Sequence, residues 1–126
     1  MNIIQHQIHI TAEWITDYAQ SIDAPLQVLQ GKLVAPSTMP IIFWQAFDIP
    51  WLKGDHPLIH GKQHFSYEAP ITARMILDCE LSLTQIENKT SRHGNLILYT
   101  HSLVCFNEGD LIVTAETVLI SVGENI

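Results

Sequence analysis

A chain of 126 residues is the size of one domain, and its 47% hydrophobic content supplies enough apolar side chain for a single core. A net charge of −7, with only six Lys and Arg scattered along the chain, excludes the phosphate neutralisation that nucleic-acid binding requires. Charged residues make up only 15%, few for a solitary monomer, so part of the surface is expected to be covered by a second subunit.

The first seven residues lack the charged region and the apolar run that mark a secretory signal. No apolar stretch approaches the ~20 residues that would span a bilayer. Cys79 and Cys105 have no metal-type spacing and sit inside strand-like runs, which predicts buried free thiols. A cytoplasmic setting, with no membrane, is the expectation.

The first segment, Ile3–Ile10, sets Ile4, Ile8 and Ile10 on one side and Gln5, Gln7 and His9 on the other, the alternation of a short strand. Thr11 is then placed to cap a helix, with Glu13 and Asp17 near its positive end. Ile15, Tyr18, Ala19 and Ile22 form one buried helical stripe, and Pro25 stops it. After a loop holding Gly31, Ser37 or Thr38 is a candidate N-cap for a second helix, with Pro40 tolerated in its first turn. The residues that follow, Ile41–Phe47, are apolar on nearly all sides, which predicts a buried helix.

Trp51–Pro57 carries the turn residues Gly54 and Asp55 and is expected to be a loop. Strands follow over His60–Tyr67, Thr72–Gln85, Leu96–Phe106 and Leu111–Val122. Polar turns separate the last three, at Asn88–Gly94 and Asn107–Asp110. If the first closes a hairpin, Cys79 and Cys105 fall near each other across it, whereas a one-residue slip in register would put them on opposite faces. This order of elements predicts an α+β domain over residues 1–126, an antiparallel sheet wrapped around a buried central helix, which is the hot-dog architecture.

Three segments carry a family resemblance. Tyr18-Ala19-Gln20-Ser21-Ile22-Asp23-Ala24-Pro25-Leu26-Gln27 resembles the Tyr-Ala-x-Ser-Gly-Asp-x-Asn-Pro-Leu-His of the MaoC-like hydratase and dehydratase superfamily. Ala35-Pro36-Ser37-Thr38 resembles the Ala-Pro-x-Thr at the head of the central helix in its FAS1-like N-terminal branch. His60 to Ile71 is similar to that branch's His-x-x-Gln-x-Phe-x-Tyr-x-x-Pro-Ile. The branch includes non-catalytic subunits of (3R)-hydroxyacyl-carrier-protein dehydratases. The resemblance therefore implies an acyl-CoA or acyl-carrier-protein ligand, and a homodimer or a heterodimer with a catalytic MaoC-like subunit.

Removing water from a 3-hydroxyacyl thioester needs a base, an acid and donors for the thioester oxygen. Ser37 and Thr38, at the head of a helix, are placed to be such donors. The acid–base pair departs from the pattern. Aligned on Pro25 and Leu26, the family's catalytic His falls on Gln27 and its Asp on Ile22, with Asp23 one residue away. A glutamine cannot accept a proton near neutral pH.

Asp23, Gln27 and His60 are thus the candidate catalytic residues, His60 because histidine is the natural substitute base. Alternation along its strand places His60 with Lys62, His64 and Ser66, opposite Phe65 and Tyr67. Lys62 and Arg74 are candidates for phosphate groups on the carrier arm. His101 is expected to be a hydrogen-bonded core or interface residue, and His6, His9, His56 and His93 to lie at the surface. Trp44, Phe47 and Trp51 are expected mainly to fill the core.

No glycine-rich phosphate loop, Cys/His metal cluster or Gly-x-Ser-x-Gly elbow is present, so no cofactor and no metal are expected. Three activities fit these residues. The first is a binding subunit that relies on a partner's dyad. The second is a self-sufficient hydratase with Asp23 or His60 as its base. The third is a thioesterase in which Asp23 or Asp48 positions water.

Overall fold

The computed structural model describes residues 2–52, 57–92 and 94–123. The surface positions expected for His56 and His93 and the turn residues Gly54 and Asp55 lie outside them. Strand β1 (Ile3–His9) leads to helix α1 (Ala12–Ser21), whose start is fixed as expected: the Trp14 N–H donates to the Thr11 hydroxyl at 3.0 Å. Ile15, Tyr18 and Ala19 form its buried stripe. Its end is a Schellman motif, in which Ala24 N–H donates to Ala19 C=O at 2.8 Å and Asp23 N–H to Gln20 C=O at 3.2 Å. This requires Asp23 to adopt a left-handed backbone, φ 56°.

The segment expected to be a loop around Gly31 is a small hairpin, β2 (Gln27–Leu29) with β3 (Lys32–Val34). Its two-residue connection, Gln30-Gly31, has φ of 52° and 77°, the positive values a type I′ turn demands. Strands of three residues are too short to show alternation, which is why the sequence hides them.

The very apolar segment is helical, but as a 3₁₀ helix over Met39–Ala46. With three residues per turn its side chains stack at i, i+3, so it has faces that a 3.6-residue helix would blur. Met39, Pro40 and Phe43 are buried in the core, whereas Ile41, Ile42 and Trp44 are only partly covered and Gln45 is exposed. A short 3₁₀ turn, Pro50–Leu52, follows.

Four long strands complete the chain: β4 (Leu58–Tyr67), β5 (Ile76–Ser91), β6 (Gly94–Asn107) and β7 (Asp110–Val122). They join β1 in one antiparallel sheet of order β1-β5-β6-β7-β4. Helix α1 and the 3₁₀ helix cover its inner face, where Leu77, Cys79, Leu81, His101, Leu103, Cys105, Val113 and Ala115 are buried. This is the expected α+β hot-dog arrangement. Two boundaries shift. Thr72–Met75 is a turn closed by Met75 N–H to Thr72 C=O, and β5 runs on to Ser91, so the expected Asn88–Gly94 turn is much tighter.

Cys79 and Cys105 pair directly across β5 and β6, their sulfurs 3.1 Å apart. The hydrogen bond between the thiols, and then burial, push the Cys105 thiol far up, so it holds its proton and is no nucleophile at neutral pH.

The register of β4 departs from simple alternation near the site. Strand β4 bulges at Gly61, so that His60 pairs with Leu119 while Lys62 pairs with Val118. A one-residue slip in a strand reverses the face of everything beyond it. His60 therefore lies on the face of Gln63, Phe65 and Tyr67, opposite to the alternation in the sequence.

Because Asp23 spends its left-handed backbone on ending α1, Asp23→Gly should keep or raise stability, by up to about 1 kcal/mol. Asp23→Val should lower it by about 1–2 kcal/mol. Urea unfolding of both variants checks the pair.

Candidate functional site

An open cleft of about 530 Å³ lies where the β2–β3 hairpin, the head of the 3₁₀ helix and the end of β4 meet. Gln27, Ala35, Ser37, Tyr67 and Ile71 are among its lining residues. Two of the residues singled out in the sequence, Gln27 and Ser37, are thus brought together.

The head of the 3₁₀ helix is held by hydrogen bonds that the sequence did not reveal. The Tyr67 hydroxyl donates to the Ser37 carbonyl at 2.6 Å, and the Tyr18 hydroxyl lies 2.6 Å from the Thr38 hydroxyl. Thr38 stands at the cap position but its side chain makes no capping bond, so the expected side-chain cap is replaced by a tie to α1. Burial, with smaller contributions from Cys105 and Tyr18, raises the Tyr67 phenol above its usual range. Tyr67 accordingly remains a protonated donor at neutral pH.

The other candidates lie outside this cleft. Asp23 is exposed at the end of α1, in the helix-terminating role described above. Lys62 is exposed and sits 3.5 Å from Glu116, a surface pair of small energetic weight. Arg74, at φ 77°, lies in the turn before β5 beside His9 and Thr11. Asp48 is exposed and is not among the residues lining the cleft.

His60 lines a second, smaller cavity of about 150 Å³ with Ile41, Trp44, Gln63, Thr117 and Leu119. Its Nε2 is 3.0 Å from Gln63 Oε1, which also accepts from the Thr117 hydroxyl at 2.7 Å. Gln63 is the glutamine of the His-x-x-Gln motif, but its pairing with Thr117 has no sequence signal because only the strand register, 63 opposite 117, brings them together. Beside this cavity Trp44 packs edge-on against His101, ring centroids 4.9 Å apart. The Trp51 indole N–H donates to His101 Nε2 at 2.9 Å. An indole can only donate, so Nε2 is unprotonated and Nδ1, 3.1 Å from the Tyr99 carbonyl, carries the hydrogen. His101 is a fully buried, hydrogen-bonded core histidine, as expected.

A further depression lies over β1 and β5, lined by Gln5, Gln7, Asp78 and Glu80 among others. The Gln5 and Gln7 amides donate to the Glu80 and Asp78 carboxylates, so these groups satisfy one another. Among the described residues no group of three or more His, Cys, Asp or Glu could hold a metal, and no helix is long and apolar enough to cross a membrane.

An antiparallel sheet with a helical segment across its inner face, and a cleft at that segment's head, defines the hot-dog class. Solved structures of MaoC-like hydratases and dehydratases share the fold. The chain superposes on the C-terminally truncated HadBC (3R-hydroxyacyl-ACP dehydratase) complex of Mycobacterium tuberculosis with TM-score 0.70, at 16% identity, covering 94% of this chain and 93% of that one. For the MaoC-like dehydratase of Rhodospirillum rubrum the values are 0.69, 16%, 98% and 92%. For the (R)-hydratase of A. caviae involved in PHA biosynthesis they are 0.67, 14%, 93% and 92%. No protein-family model matches the chain. In sequence it is 33% identical over 98 residues to a "UPF0336 protein" of Thermobifida fusca, over 73% of this chain and 62% of that one. The match thus spans less than two thirds of that relative's length.

Burial lowers the His101 pKa, against the smaller opposing pull of the Tyr99 carbonyl. The native ring stays neutral while the unfolded chain gains a proton as pH falls through about 6.5. An unfolded state that binds more protons makes stability fall with falling pH. The His101 contribution is thus complete above about pH 6.5 and is lost below it, down to the lowered native value. Trp51→Phe leaves Nε2 without its donor and should cost about 1–3 kcal/mol at pH 7.5. The cost should shrink at pH 5, where the freed nitrogen can take a proton. Urea unfolding at the two pH values checks this.

Proposed function

We propose that this domain binds an acyl thioester, carried by coenzyme A or acyl-carrier protein, in the cleft lined by Gln27, Ser37 and Tyr67. It serves a (3R)-hydroxyacyl dehydratase or enoyl hydratase system in which a MaoC-like partner chain supplies the acid–base pair. The observation that carries this reading is Gln27. It stands where the resemblance expects the catalytic histidine, and it lines the cleft. Its carboxamide can hydrogen-bond a thioester but cannot remove the C2 proton. Losing a general base typically costs 10²–10⁴-fold in rate, so a lone chain built this way is a binder and a poor catalyst.

Two features support the rest. A cleft of about 530 Å³ falls within the range of small-molecule sites. Leu26, Val28 and Leu29, on and next to the β2–β3 hairpin beside Gln27, are exposed apolar side chains, which favours a second chain covering that hairpin. The HadBC structure is itself a complex.

One observation favours a second reading, a self-sufficient hydratase. The His60 ring is held by the Gln63 amide, as an oriented base would be. His60 is not among the residues that line the cleft with Gln27 and Ser37, so the first reading is preferred. The thioesterase reading is weaker still, since neither Asp23 nor Asp48 lines the cleft.

The test is the purified protein with crotonyl-CoA and longer enoyl-CoA substrates, followed for binding by calorimetry and for hydration by loss of enoyl absorbance. Saturable binding with no hydration above background is expected. Turnover by the lone protein that disappears in His60→Ala would establish the second reading instead. Release of free coenzyme A from a saturated acyl-CoA would establish the third.

A further inference from the structure

The larger cleft carries one charge, and the fold does nothing to neutralise it. Apart from Glu68, the described residues that line this cleft are apolar or, like Gln27, Ser37 and Tyr67, uncharged. No lysine, arginine or histidine is among them. Lys62 stands beside Glu116, and Arg74 lies in the depression beside His9. Lys32, two residues before Val34 on β3, is not a lining residue either.

The main chain fixes where Glu68 sits. Its N–H donates to the Ile112 carbonyl at 2.8 Å, and three residues on the Ile71 carbonyl accepts from the Ala35 N–H at 2.8 Å. The segment from 68 to 71 is therefore one held wall of the cleft. The Glu68 carboxylate is exposed and makes no hydrogen bond or ion pair with a described residue. A space of about 530 Å³ is roughly 10 Å across, close to the Debye length of about 8 Å at physiological salt. A charge on its wall is felt through most of it.

We infer that Glu68 makes this cleft select uncharged acyl groups and discriminate against those that end in a carboxylate. The inference rests on the reading of the cleft as an acyl-thioester site and names the substrate class of that site. A terminal carboxylate entering the cleft loses water and meets a like charge, with no lining cation to offset either cost. A hydrocarbon chain meets apolar wall and loses nothing to Glu68. At roughly 6 Å in largely aqueous surroundings, the repulsion amounts to about two- to fivefold in affinity.

The test uses the full chain and two non-hydrolysable thioether analogues, one of glutaryl-CoA and one of its terminal amide. They share shape and carrier and differ by one charge. Calorimetry should show the amide binding about two- to fivefold more tightly, with the gap widening at low salt. Glu68→Gln should narrow the gap and Glu68→Lys should reverse it. A merely structural role for Glu68 would shift both probes together. Equal affinities in the wild-type protein, or a gap unchanged in Glu68→Gln, would overturn the inference and leave the thioester reading standing. Failure of both probes to bind would overturn that reading and the inference with it.

Discussion

Two tyrosine hydroxyls set the geometry on which the candidate site depends. Tyr67, on β4, donates to the Ser37 carbonyl, and Tyr18, on α1, meets the Thr38 hydroxyl, each at 2.6 Å. The eight residues that follow form a 3₁₀ helix, a geometry with poorer hydrogen bonds than the α-helix and rarely sustained so long. Its own backbone gives it little rigidity. Phe43 and Met39 anchor it in the core, and the tyrosines fix where its head points. Because the phenol of Tyr67 is held in its protonated form by burial, that anchor is insensitive to pH in the neutral range.

The same sheet face then presents two different chemical environments along β4. Near Tyr67 the cleft is open and includes Gln27 and Ser37. Toward the other end of the strand, past Phe65, the Gln63–Thr117–His60 group sits in a tighter, apolar-walled space. Nothing about a hot-dog fold by itself dictates a reaction at either place, since one fold hosts many chemistries. What narrows the choice is the identity of the side chains. Gln27, which stands where the resemblance expects a base and cannot accept a proton near neutral pH, is the side chain on which the proposed binding role rests.

Much of the fold was legible because its signals are long. Leu77, Cys79 and Leu81 against Asp78 and Glu80 leave no alternative to a half-buried strand, and the opposed cysteines follow once the hairpin closes. Thr11 and the Ile15, Tyr18, Ala19, Ile22 spacing placed α1 as well, although Ile22, at its C-cap, is exposed rather than buried. What escaped depends on local exceptions or on register. The bulge at Gly61 turned His60 to the other face, and no periodic pattern can announce a single inserted residue. The pairing of Gln63 with Thr117 spans 54 positions in sequence and exists only because β4 and β7 are neighbours. The three-residue strands of the β2–β3 hairpin were too brief to alternate. Of the candidate site, Gln27, Ser37, Tyr18 and Tyr67 all stand in the quoted motifs, but the hydrogen bonds by which the two tyrosines hold the site in shape have no signature in the sequence.

The most direct test of the central claim is backbone amide chemical-shift mapping with a non-hydrolysable butyryl-CoA thioether. Occupancy of the cleft should move Gln27, Ser37, Thr38 and Tyr67 together and saturate in parallel, leaving the outer face of β5 unchanged. Perturbations that avoid these four residues, or no saturable change at all, would contradict the account.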